Sequence, residues 1–443
     1  MRNLIVVFCV SALMCAGALI AEPASDYSHF WPQWRGPEMS GLAPHGNPPV
    51  EWSESQNVKW KVEIPGKGSA SPIIWKDTIF ILSAVPTGEK VEVEPPPPDA
   101  TRRRRGTSAD QVQRFTVFAL SREDGRILWE RSLREELPHE GTHPTGTWAS
   151  SSPVTDGEHV YAFFGSRGLY CLTMDGTVLW EKDLGDMQTR NGFGEGSTPF
   201  LFRDRLIVTW DHEGQSFIVA LSKKTGEEIW RVNRDEITSW ATPVVVEHDG
   251  VTQVIANATK RVRSYNFEDG TLLWECEGMT DNVIPTPIIS EGVAYVTSGF
   301  RGNALLAIRL SGAQNNITGT ENIVWSHDKH TPYVPTPLLF KNTLYFLSRN
   351  SGIVSSFDAR TGSAFFGPER LENIGDVYAS PVGAAGRIYI TDRDGNTAVL
   401  AHGPQLNILG VNSLEDGFDA SPAIVGNELY LRGTKYLYRI SEK

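Results

Sequence analysis

Short apolar runs separated by turn residues fill the chain from about residue 58 onward. A representative stretch has apolar runs at Val160–Phe164, Leu169–Leu172 and Val178–Trp180, with the turns Ser166–Gly168 and Met174–Gly176 between them. Runs of this length, rich in β-branched and aromatic residues and bounded by glycine turns, predict antiparallel strands joined by hairpins. Because comparable helical periodicity is missing, the sequence predicts an all-β protein.

A Ser-Pro or Thr-Pro pair followed by apolar residues recurs through the chain. The pairs are Ser71-Pro72, Ser152-Pro153, Thr198-Pro199, Thr242-Pro243, Thr286-Pro287, Thr336-Pro337, Ser380-Pro381 and Ser421-Pro422. Successive prolines lie 81, 46, 44, 44, 50, 44 and 41 residues apart, and the long first interval contains an insertion. A nearly constant interval of this size indicates a repeat architecture.

Most repeats also carry a glycine four residues before an aromatic residue. These pairs are Gly125 and Trp129, Gly176 and Trp180, Gly226 and Trp230, Gly270 and Trp274, and Gly362 and Phe366. With the apolar runs, they indicate four strands per repeat. Eight such repeats predict an eight-bladed β-propeller with four antiparallel strands per blade, and seven blades, with one repeat misassigned, is the alternative. We expect the proline to open the innermost strand and the tryptophan to pack between blades.

The last repeat lacks a fourth strand. After its Ser-Pro pair the strand-like runs are Ala423–Val425, Glu428–Leu431 and Lys435–Ile440. The segment Asn57–Ile64 has the pattern of an outer strand, carries Trp60, and precedes the first repeat. Because closure of the ring hides sheet edges, we expect this N-terminal strand to complete the last blade near Tyr436.

Three segments lie outside the regular pattern. Residues 1–21 have a basic start, an apolar run and small residues near Ala21, which predicts a cleaved signal peptide; an uncleaved anchor is the alternative. Residues 22–57 form an aromatic and proline-rich leader that we expect to pack on the propeller of residues 58–443. The insertion at residues 86–113 contains Pro95–Pro98 and Arg102–Arg105, which predicts an exposed loop; contact of the arginines with an anionic lipid or an acidic partner is the alternative.

The amino-acid composition limits the classes of partner and the location that we expect for the protein. The 443 residues include 53 acidic and 41 basic side chains, and the net charge is −12. Since binding to phosphates needs a basic face, we expect no nucleic-acid partner. Loss of the signal peptide leaves only Cys171 and Cys276, which are too few for a disulfide framework. No later run is apolar enough to span a bilayer, so we expect a monomeric, periplasmic or secreted protein without a transmembrane segment.

The units from Ser152-Pro153 to Trp180 and from Thr198-Pro199 to Trp230 resemble the repeats of pyrroloquinoline-quinone (PQQ) dehydrogenases and of BamB-like barrel-assembly propellers. The resemblance covers about residues 58–443 and implies an eight-bladed PQQ-like propeller. It is specific for fold and weak for function, because sites are grafted onto folds. For a dehydrogenase it implies PQQ and Ca²⁺ at the funnel mouth and adjacent cysteines below the cofactor. Cys171 and Cys276 are not adjacent.

A candidate ligand site lies on one face of the predicted ring. The loops that lead into the innermost strands (the lead-in loops) and the turns between second and third strands share this top face because strand direction alternates. The lead-in loops carry His143, Trp148, Phe193, Glu195, Trp240, Tyr333, Tyr378 and Phe418, and the turns carry Arg167, His212, Arg261, Arg301, Arg349 and Arg393. Such a rim can stack a planar ligand and pair its carboxylates. The alternative is that the aromatic residues plug the channel and the arginines are solvated.

Two short sequence patterns resemble metal-binding motifs, but their neighbouring residues do not meet the requirements of those motifs. His139-Glu140-Gly141-Thr142-His143 fits the zinc pattern H-E-x-x-H, which requires a helix, but prolines flank it and a glycine lies within it. The run Asp392–Asn396 begins like a calcium loop, yet the sixth and twelfth positions are Thr397 and Gly403. We therefore predict no metal site, while His143 stays a candidate at the funnel mouth.

Three functions remain open. The sequence favours an exported, non-enzymatic binding or scaffold protein of the cell envelope, whose partner or small ligand binds the top face without a cofactor. A quinoprotein alcohol or sugar dehydrogenase, which would need PQQ and Ca²⁺, is the first alternative. A propeller that binds a carbohydrate or small anion is the second.

Overall fold

The computed structural model describes residues 27–92 and 105–442. The predicted signal peptide and Arg102–Arg104 of the basic run lie outside these ranges. The described residues form 33 strands in eight sheets and two single-turn 3-10 helices, at Gly165–Arg167 and Arg190–Gly192. This confirms the prediction of an all-β, eight-bladed propeller, with four antiparallel strands as the unit of each blade.

Each blade runs from an innermost strand at the central channel to an outer strand. Blade 1 contains β2 (Ile73–Trp75), β3 (Thr78–Lys90), β4 (Gln111–Ser121) and β5 (Ile127–Glu136), and blade 2 contains β6 (Val154–Thr155), β7 (His159–Phe163), β8 (Leu169–Thr173) and β9 (Val178–Lys182). Blade 3 contains β10 (Phe200–Phe202), β11 (Arg205–Trp210), β12 (Ser216–Ser222) and β13 (Glu228–Arg234), and blade 4 contains β14 (Val244–His248), β15 (Val251–Ala256), β16 (Val262–Asn266) and β17 (Leu272–Cys276).

The remaining blades repeat this order. Blade 5 contains β18 (Ile288–Ser290), β19 (Val293–Ser298), β20 (Ala304–Arg309) and β22 (Ile323–His327), and blade 6 contains β23 (Leu338–Phe340), β24 (Thr343–Leu347), β25 (Ile353–Asp358) and β26 (Ala364–Arg370). Blade 7 contains β27 (Val382–Ala384), β28 (Arg387–Thr391), β29 (Asn396–Ala401) and β30 (Ile408–Ser413), and blade 8 contains β31 (Ala423–Val425), β32 (Glu428–Arg432), β33 (Tyr436–Ile440) and β1 (Val58–Glu63). The short β21 (Asn315–Asn316) pairs in parallel with the outer strand of blade 4.

The N-terminal strand closes the ring. Strand β1 pairs antiparallel with β33, and Trp60 lies opposite Arg439 while Glu63 lies opposite Tyr436. The Trp60 indole donates a hydrogen bond of 3.2 Å to the carbonyl of Arg122 in blade 1. The predicted closure around Trp60 is therefore confirmed.

The Ser/Thr-Pro pairs line the channel as a hydrogen-bonded ring. The backbone N–H of Ser71 donates to the Ser152 hydroxyl at 2.9 Å, and that of Thr242 donates to the Thr286 hydroxyl at 3.1 Å. Equivalent bonds of 3.0–3.1 Å join the other neighbouring blades from 2 to 8. From Ser152 to Ser421 the repeat therefore needs a hydroxyl, because each of these hydroxyls accepts from a buried N–H of the preceding blade.

The glycine and aromatic anchors pack between blades. The indole of Trp180 donates to the carbonyl of Lys223 in the next blade at 3.1 Å. Gly226 follows in the same turn with a φ of +72°, and a Cβ there would approach the Trp180 ring to 2.8 Å. Glycine is required because it tolerates both the left-handed backbone and the close contact. The repeated spacing therefore records contacts between neighbouring blades.

The leader, residues 27–57, crosses the face opposite the lead-in loops. Trp31 is fully buried and exchanges backbone hydrogen bonds with Ile74 of the innermost strand β2. The buried Arg35 guanidinium donates to the carbonyls of Ser40 and Pro337, both at 2.8 Å. The Trp34 indole reaches the Ser421 hydroxyl at 3.3 Å and lines the central channel.

The first hairpin extends into the stretch predicted as an insertion. Strand β3 continues to Lys90, and β4 begins at Gln111. The returning chain lies on the lead-in loops, where the Thr107 N–H donates to the Thr142 carbonyl at 2.7 Å and the Gly106 N–H donates to the Asn191 carbonyl at 3.0 Å. These bonds attach the described end of the insertion to the top face.

Candidate functional site

The lead-in loops converge on one cavity at the mouth of the channel, which we call the funnel cavity. It has a volume of about 220 Å³, and the residues that line it include His143, Phe193, Glu195, Trp240, Tyr333, Tyr378 and Asp419. A smaller space of about 110 Å³ continues toward Trp34 between members of the hydroxyl ring. The fold thus brings together His143, Glu195, Trp240, Tyr333 and Tyr378 of the predicted site.

Contacts between loops fix the aromatic walls. The Trp240 indole donates to the Gly194 carbonyl at 2.7 Å, and the Tyr333 ring stacks on Phe300 with centroids 5.0 Å apart. The Arg393 guanidinium lies 4.4 Å from the centre of the Tyr378 ring. Each wall is therefore held by a residue of a neighbouring loop or turn, which limits rearrangement on binding.

The funnel cavity has an acidic lining. Burial raises the pKa of Glu195 to about 7, although the Ser166 hydroxyl and N–H both donate to this carboxylate. Burial also raises the pKa of Asp419, against the opposing effect of Arg393, whose Nε donates to it at 2.6 Å. Among the described lining residues there is no lysine or arginine. The cavity therefore offers ring faces and hydrogen-bond acceptors rather than free positive charge.

Several of the predicted rim arginines form ion pairs with carboxylates of this chain. Arg167 is buried and is bound by Glu136, by Asp186 and, at 2.9 Å, by Nδ1 of His139. Arg261 lies 3.5 Å from a carboxylate oxygen of Asp235 and 3.6 Å from one of Glu275. These guanidinium groups already have anionic partners, so the expected pairing with a ligand's carboxylates would require those partners to leave. An acidic chain supplies such partners in abundance.

The other rim candidates lie outside the funnel cavity. The side chain of Arg301 is 63% exposed and packs over the Phe300 ring, and Arg349 is exposed. His212 is buried in its own turn, where Nδ1 accepts from the Gln188 N–H at 3.0 Å.

Two aromatic residues of the lead-in loops also lie elsewhere. The Trp148 indole donates to the Glu140 carbonyl and lines a smaller cavity beside the funnel. Phe418 is buried against Tyr438 in the core between blades.

The two motifs set aside in the sequence have non-helical surroundings. Residues 139–143 consist of a bend followed by irregular backbone, and the His143 ring lies 2.6 Å from the Thr145 hydroxyl. The Asp392 carboxylate is fully buried and accepts from the N–H groups of Gly375 and Asn396. It closes a hairpin turn, as its sequence context predicted.

Sequence reasoning missed several residues of this region. Asp419 lines the funnel cavity, and its position two residues before Ser421-Pro422 could have placed it in a lead-in loop. Trp34 belongs to the predicted leader, yet it reaches the channel. His139 and Glu140 belong to the pattern that fails as a zinc motif, yet both line the smaller cavity with Glu195.

The closed ring, the hydroxyl ring at its centre and the interblade tryptophans define the chain as a PQQ-like β-propeller. It belongs to the family described as outer membrane protein assembly factor BamB, whose model matches residues 50–210, 113–365 and 214–443. No curated protein matches the sequence.

Solved structures share the fold at low sequence identity. BamB from Moraxella catarrhalis is 14% identical with a TM-score of 0.59, covering 86% of this chain and 99% of that one. Quinohemoprotein alcohol dehydrogenase from Comamonas testosteroni is 8% identical with a TM-score of 0.62, covering 94% and 81%. The computationally designed Ika8 protein is 14% identical with a TM-score of 0.53, covering 76% and 98%. At these identities the likeness concerns the fold alone, which carries both non-enzymatic and enzymatic members.

Proposed function

We propose that the protein is an exported, non-enzymatic propeller that binds a protein partner of the cell envelope through the funnel cavity. The observation that carries the proposal is the convergence of Phe193, Trp240, Tyr333 and Tyr378 on one cavity of about 220 Å³. A rigid ring that presents variable loops is a common basis for binding sites. The family description, an outer-membrane assembly factor, supports a role in the envelope.

The lining favours some ligand classes over others. Aromatic faces beside the carboxylates of Glu195 and Asp419 suit apolar or hydrogen-bond-donating groups of an extended peptide. A carbohydrate is a second candidate, because it presents both apolar ring faces and hydroxyl donors. A small anion fits poorly, since the described lining contains acidic but no basic side chains.

The same lining argues against PQQ. This cofactor is a tricarboxylate, and its binding needs cations or guanidinium groups at the site. In the funnel cavity the nearby Arg393 is already paired with Asp419. The free cysteines Cys171 and Cys276 are buried in β8 of blade 2 and β17 of blade 4, so they cannot form the adjacent pair that the dehydrogenase resemblance implies. We therefore propose a function without PQQ.

We further propose a periplasmic or secreted location and a monomeric state. In residues 27–92 and 105–442, no helix has the length and apolar character needed to cross a membrane. Export would place the cavity among envelope proteins and glycans. Cell fractionation of the full-length precursor, followed by light scattering of the purified product, tests both statements.

Affinity capture from native envelope extracts tests the proposed function. We expect the wild-type protein to retain a defined envelope protein, and the double variant Trp240→Ala, Tyr378→Ala to lose it. The matched control is Phe365→Ala, which removes an aromatic side chain that is 41% exposed on outer strand β26, away from the funnel cavity. Equal capture by all three proteins would contradict the proposal. A glycan array in parallel would reveal the carbohydrate alternative.

The enzymatic alternative has its own assay. Incubation with PQQ and Ca²⁺ is expected to give no stoichiometric cofactor absorbance and no dye-linked oxidation of alcohols or aldoses. Either signal, if lost in Trp240→Ala, would replace the binding proposal with a dehydrogenase.

A further inference from the structure

The junction between blades 4 and 5 lacks a contact that recurs between other blades. A turn glycine of one blade normally packs on the tryptophan of the preceding blade, and a Cβ at Gly270 would meet the Trp230 ring at 2.8 Å. Gly312 holds the equivalent position in the turn after β20, yet a Cβ there would meet nothing within 4 Å. The outer tryptophan of blade 4, Trp274, is therefore not covered by this turn.

A cavity of about 350 Å³ lies in this gap, and we call it the interblade cavity. Its apolar lining consists of Val251, Leu272, Leu273, Trp274, Leu310 and Ala313. Val251 and Leu272 are 40% and 45% exposed, so apolar side chains also form its mouth. Its turns join first to second and third to fourth strands, which places the interblade cavity on the face opposite the funnel cavity. Its volume is within the range of small-molecule sites.

Gln253 brings an unused hydrogen-bond donor to the interblade cavity. This residue lines the cavity and is only 4% exposed. Its Oε1 accepts from the Ser264 hydroxyl at 2.7 Å and from the Trp274 indole at 3.0 Å, and these two donors fix the orientation of the amide. Within residues 27–92 and 105–442, Nε2 of Gln253 has no acceptor. Since an unmatched donor on a nearly buried side chain is costly, the cavity favours a ligand that supplies an acceptor.

The polar rim of the interblade cavity limits the charge of the ligand. The Ser311 hydroxyl donates to the Asp249 carboxylate at 2.7 Å and lies 2.8 Å from Nε2 of His248. Among the described lining residues Asp249 is the only carboxylate, and there is no lysine or arginine. A carboxylate at the rim repels anions, and the apolar walls make it costly to desolvate any charged group. The lining therefore favours an uncharged ligand.

We propose that the interblade cavity binds a small uncharged molecule whose apolar body carries a carbonyl oxygen, such as an aromatic ketone or amide. The carbonyl oxygen accepts from Nε2 of Gln253, and the apolar body packs against Leu272 and Leu273. A carbonyl suits the site better than a hydroxyl, because a hydroxyl brings a donor of its own while Oε1 of Gln253 already accepts twice. This proposal does not depend on the ligand of the funnel cavity, which opens on the other face.

The segment that follows Gly312 keeps the interblade cavity open. Strand β21 pairs with the outer strand of blade 4, where Asn315 lies opposite Trp274. The N–H of Ile317 donates to the Glu275 carbonyl at 2.9 Å, and the Ile317 side chain is buried. These contacts hold the segment along the edge of blade 4 before any ligand binds, which lowers the ordering cost of binding.

Three matched probes test the proposal on the purified chain. Acetophenone combines an aromatic ring with a carbonyl, ethylbenzene has nearly the same shape without an acceptor, and benzoate carries a negative charge. Titrations followed by ligand-observed NMR are expected to show saturable binding of acetophenone, binding of ethylbenzene that is about 3- to 10-fold weaker, and no binding of benzoate. No saturable binding of acetophenone, equal affinity for acetophenone and ethylbenzene, or benzoate binding as tight as that of acetophenone would overturn the proposal.

Variants of the lining place the probe in the interblade cavity. Ala313→Leu fills the cavity and should weaken acetophenone and ethylbenzene alike. The matched control is Ala364→Leu, which adds the same group at an exposed position of outer strand β26 and should change neither affinity. Acetophenone binding that Ala313→Leu leaves unchanged would overturn the proposal, because the probe would then bind elsewhere.

A change at Gln253 tests the hydrogen bond itself. At a pH where its carboxylate is ionised, Gln253→Glu keeps an acceptor for Ser264 and Trp274 but replaces the free donor with an acceptor oxygen. It should weaken acetophenone by about 10-fold and ethylbenzene much less, and equal losses for the two probes would contradict the role of Gln253. The comparison of probes on the wild type and on Ala313→Leu stays decisive if Gln253→Glu does not fold. Envelope capture through the funnel cavity uses other residues, so its success or failure is separate from these results.

Discussion

The junction between blades 8 and 1 depends on one buried carboxylate. Glu428 begins β32, and its side chain is 10% exposed. It accepts 2.7 Å from Nε of Arg122 in the turn of blade 1 and 3.0 Å from Nε of Arg439 in β33. The Tyr430 hydroxyl also donates to it. The substitution Glu428→Gln removes the charge while keeping the shape, so it isolates this contribution to ring closure.

The expected loss in the free energy of unfolding follows from the burial of the Glu428 carboxylate. Removal of one partner from a buried ion pair costs about 3–5 kcal/mol. Arg122 and Arg439 are each 21% exposed and can regain some hydration, and glutamine keeps one acceptor oxygen. We therefore expect Glu428→Gln to lower the free energy of unfolding by about 2–3 kcal/mol. The exposed pair Glu291 and Arg360 provides the control, and Glu291→Gln should cost less than about 1 kcal/mol.

Urea unfolding of the three proteins measures these differences. Amide hydrogen exchange adds location, because Glu428→Gln should increase exchange in β1 and β33 more than in β16 of blade 4. A loss equal to that of Glu291→Gln, or faster exchange spread evenly over all blades, would refute the view that Glu428 secures the closure.

Further predictions concern acid stability and the repeat contacts. Burial alone would raise the pKa of Glu428, but hydrogen bonds from Tyr430 and the two guanidinium groups lower this pKa overall. The stability that the ionised carboxylate adds should therefore be present at neutral pH and be lost as the pH falls below the ordinary glutamate pKa and through the lowered one. Unfolding curves of the wild type and Glu428→Gln should then converge in acid. Gly226→Ala should cost about 1–3 kcal/mol through strain and its contact with Trp180, whereas Gly312→Ala, at a φ of +73° with open space around it, should show strain alone in thermal denaturation. Thr242→Val leaves the Thr198 N–H without its acceptor and should cost about 1–3 kcal/mol by urea unfolding, and an unchanged midpoint would contradict the structural role of the hydroxyl ring.

The sequence was sufficient to predict the ring because each repeated residue has a contact that repeats. Proline before a strand, glycine in a left-handed turn and tryptophan between blades serve the same purpose in successive blades. Trp274 shows the limit of this logic. Its indole donates to the side chain of Gln253 in its own blade rather than to the next blade's turn, because the inserted segment around Gly312 alters that turn. The segment pairs with the outer strand of blade 4 instead.

The chemistry of the top face was less predictable because it depends on partners that do not repeat. Arg167 and Arg301 occupy equivalent turns, yet Arg167 is buried among carboxylates and Arg301 is 63% exposed. The difference arises from Glu136 and Asp186, which belong to the segments around the lead-in loops of blades 2 and 3. The repeat determines where the backbone places a side chain, whereas the neighbouring loops determine which charged groups surround it.

This distinction explains why the funnel cavity and the smaller cavity beside it share one wall. Glu195 is fixed at the top face by its repeat position, but Ser166 of blade 2 orients its carboxylate, and the lead-in loop of blade 2 supplies His139 and Glu140. The functional unit of this propeller is therefore a pair of adjacent lead-in loops rather than a single blade. Variation in one loop would change the chemistry of both cavities while leaving the hydroxyl ring and the interblade tryptophans in place, because those contacts lie within the strands and their turns.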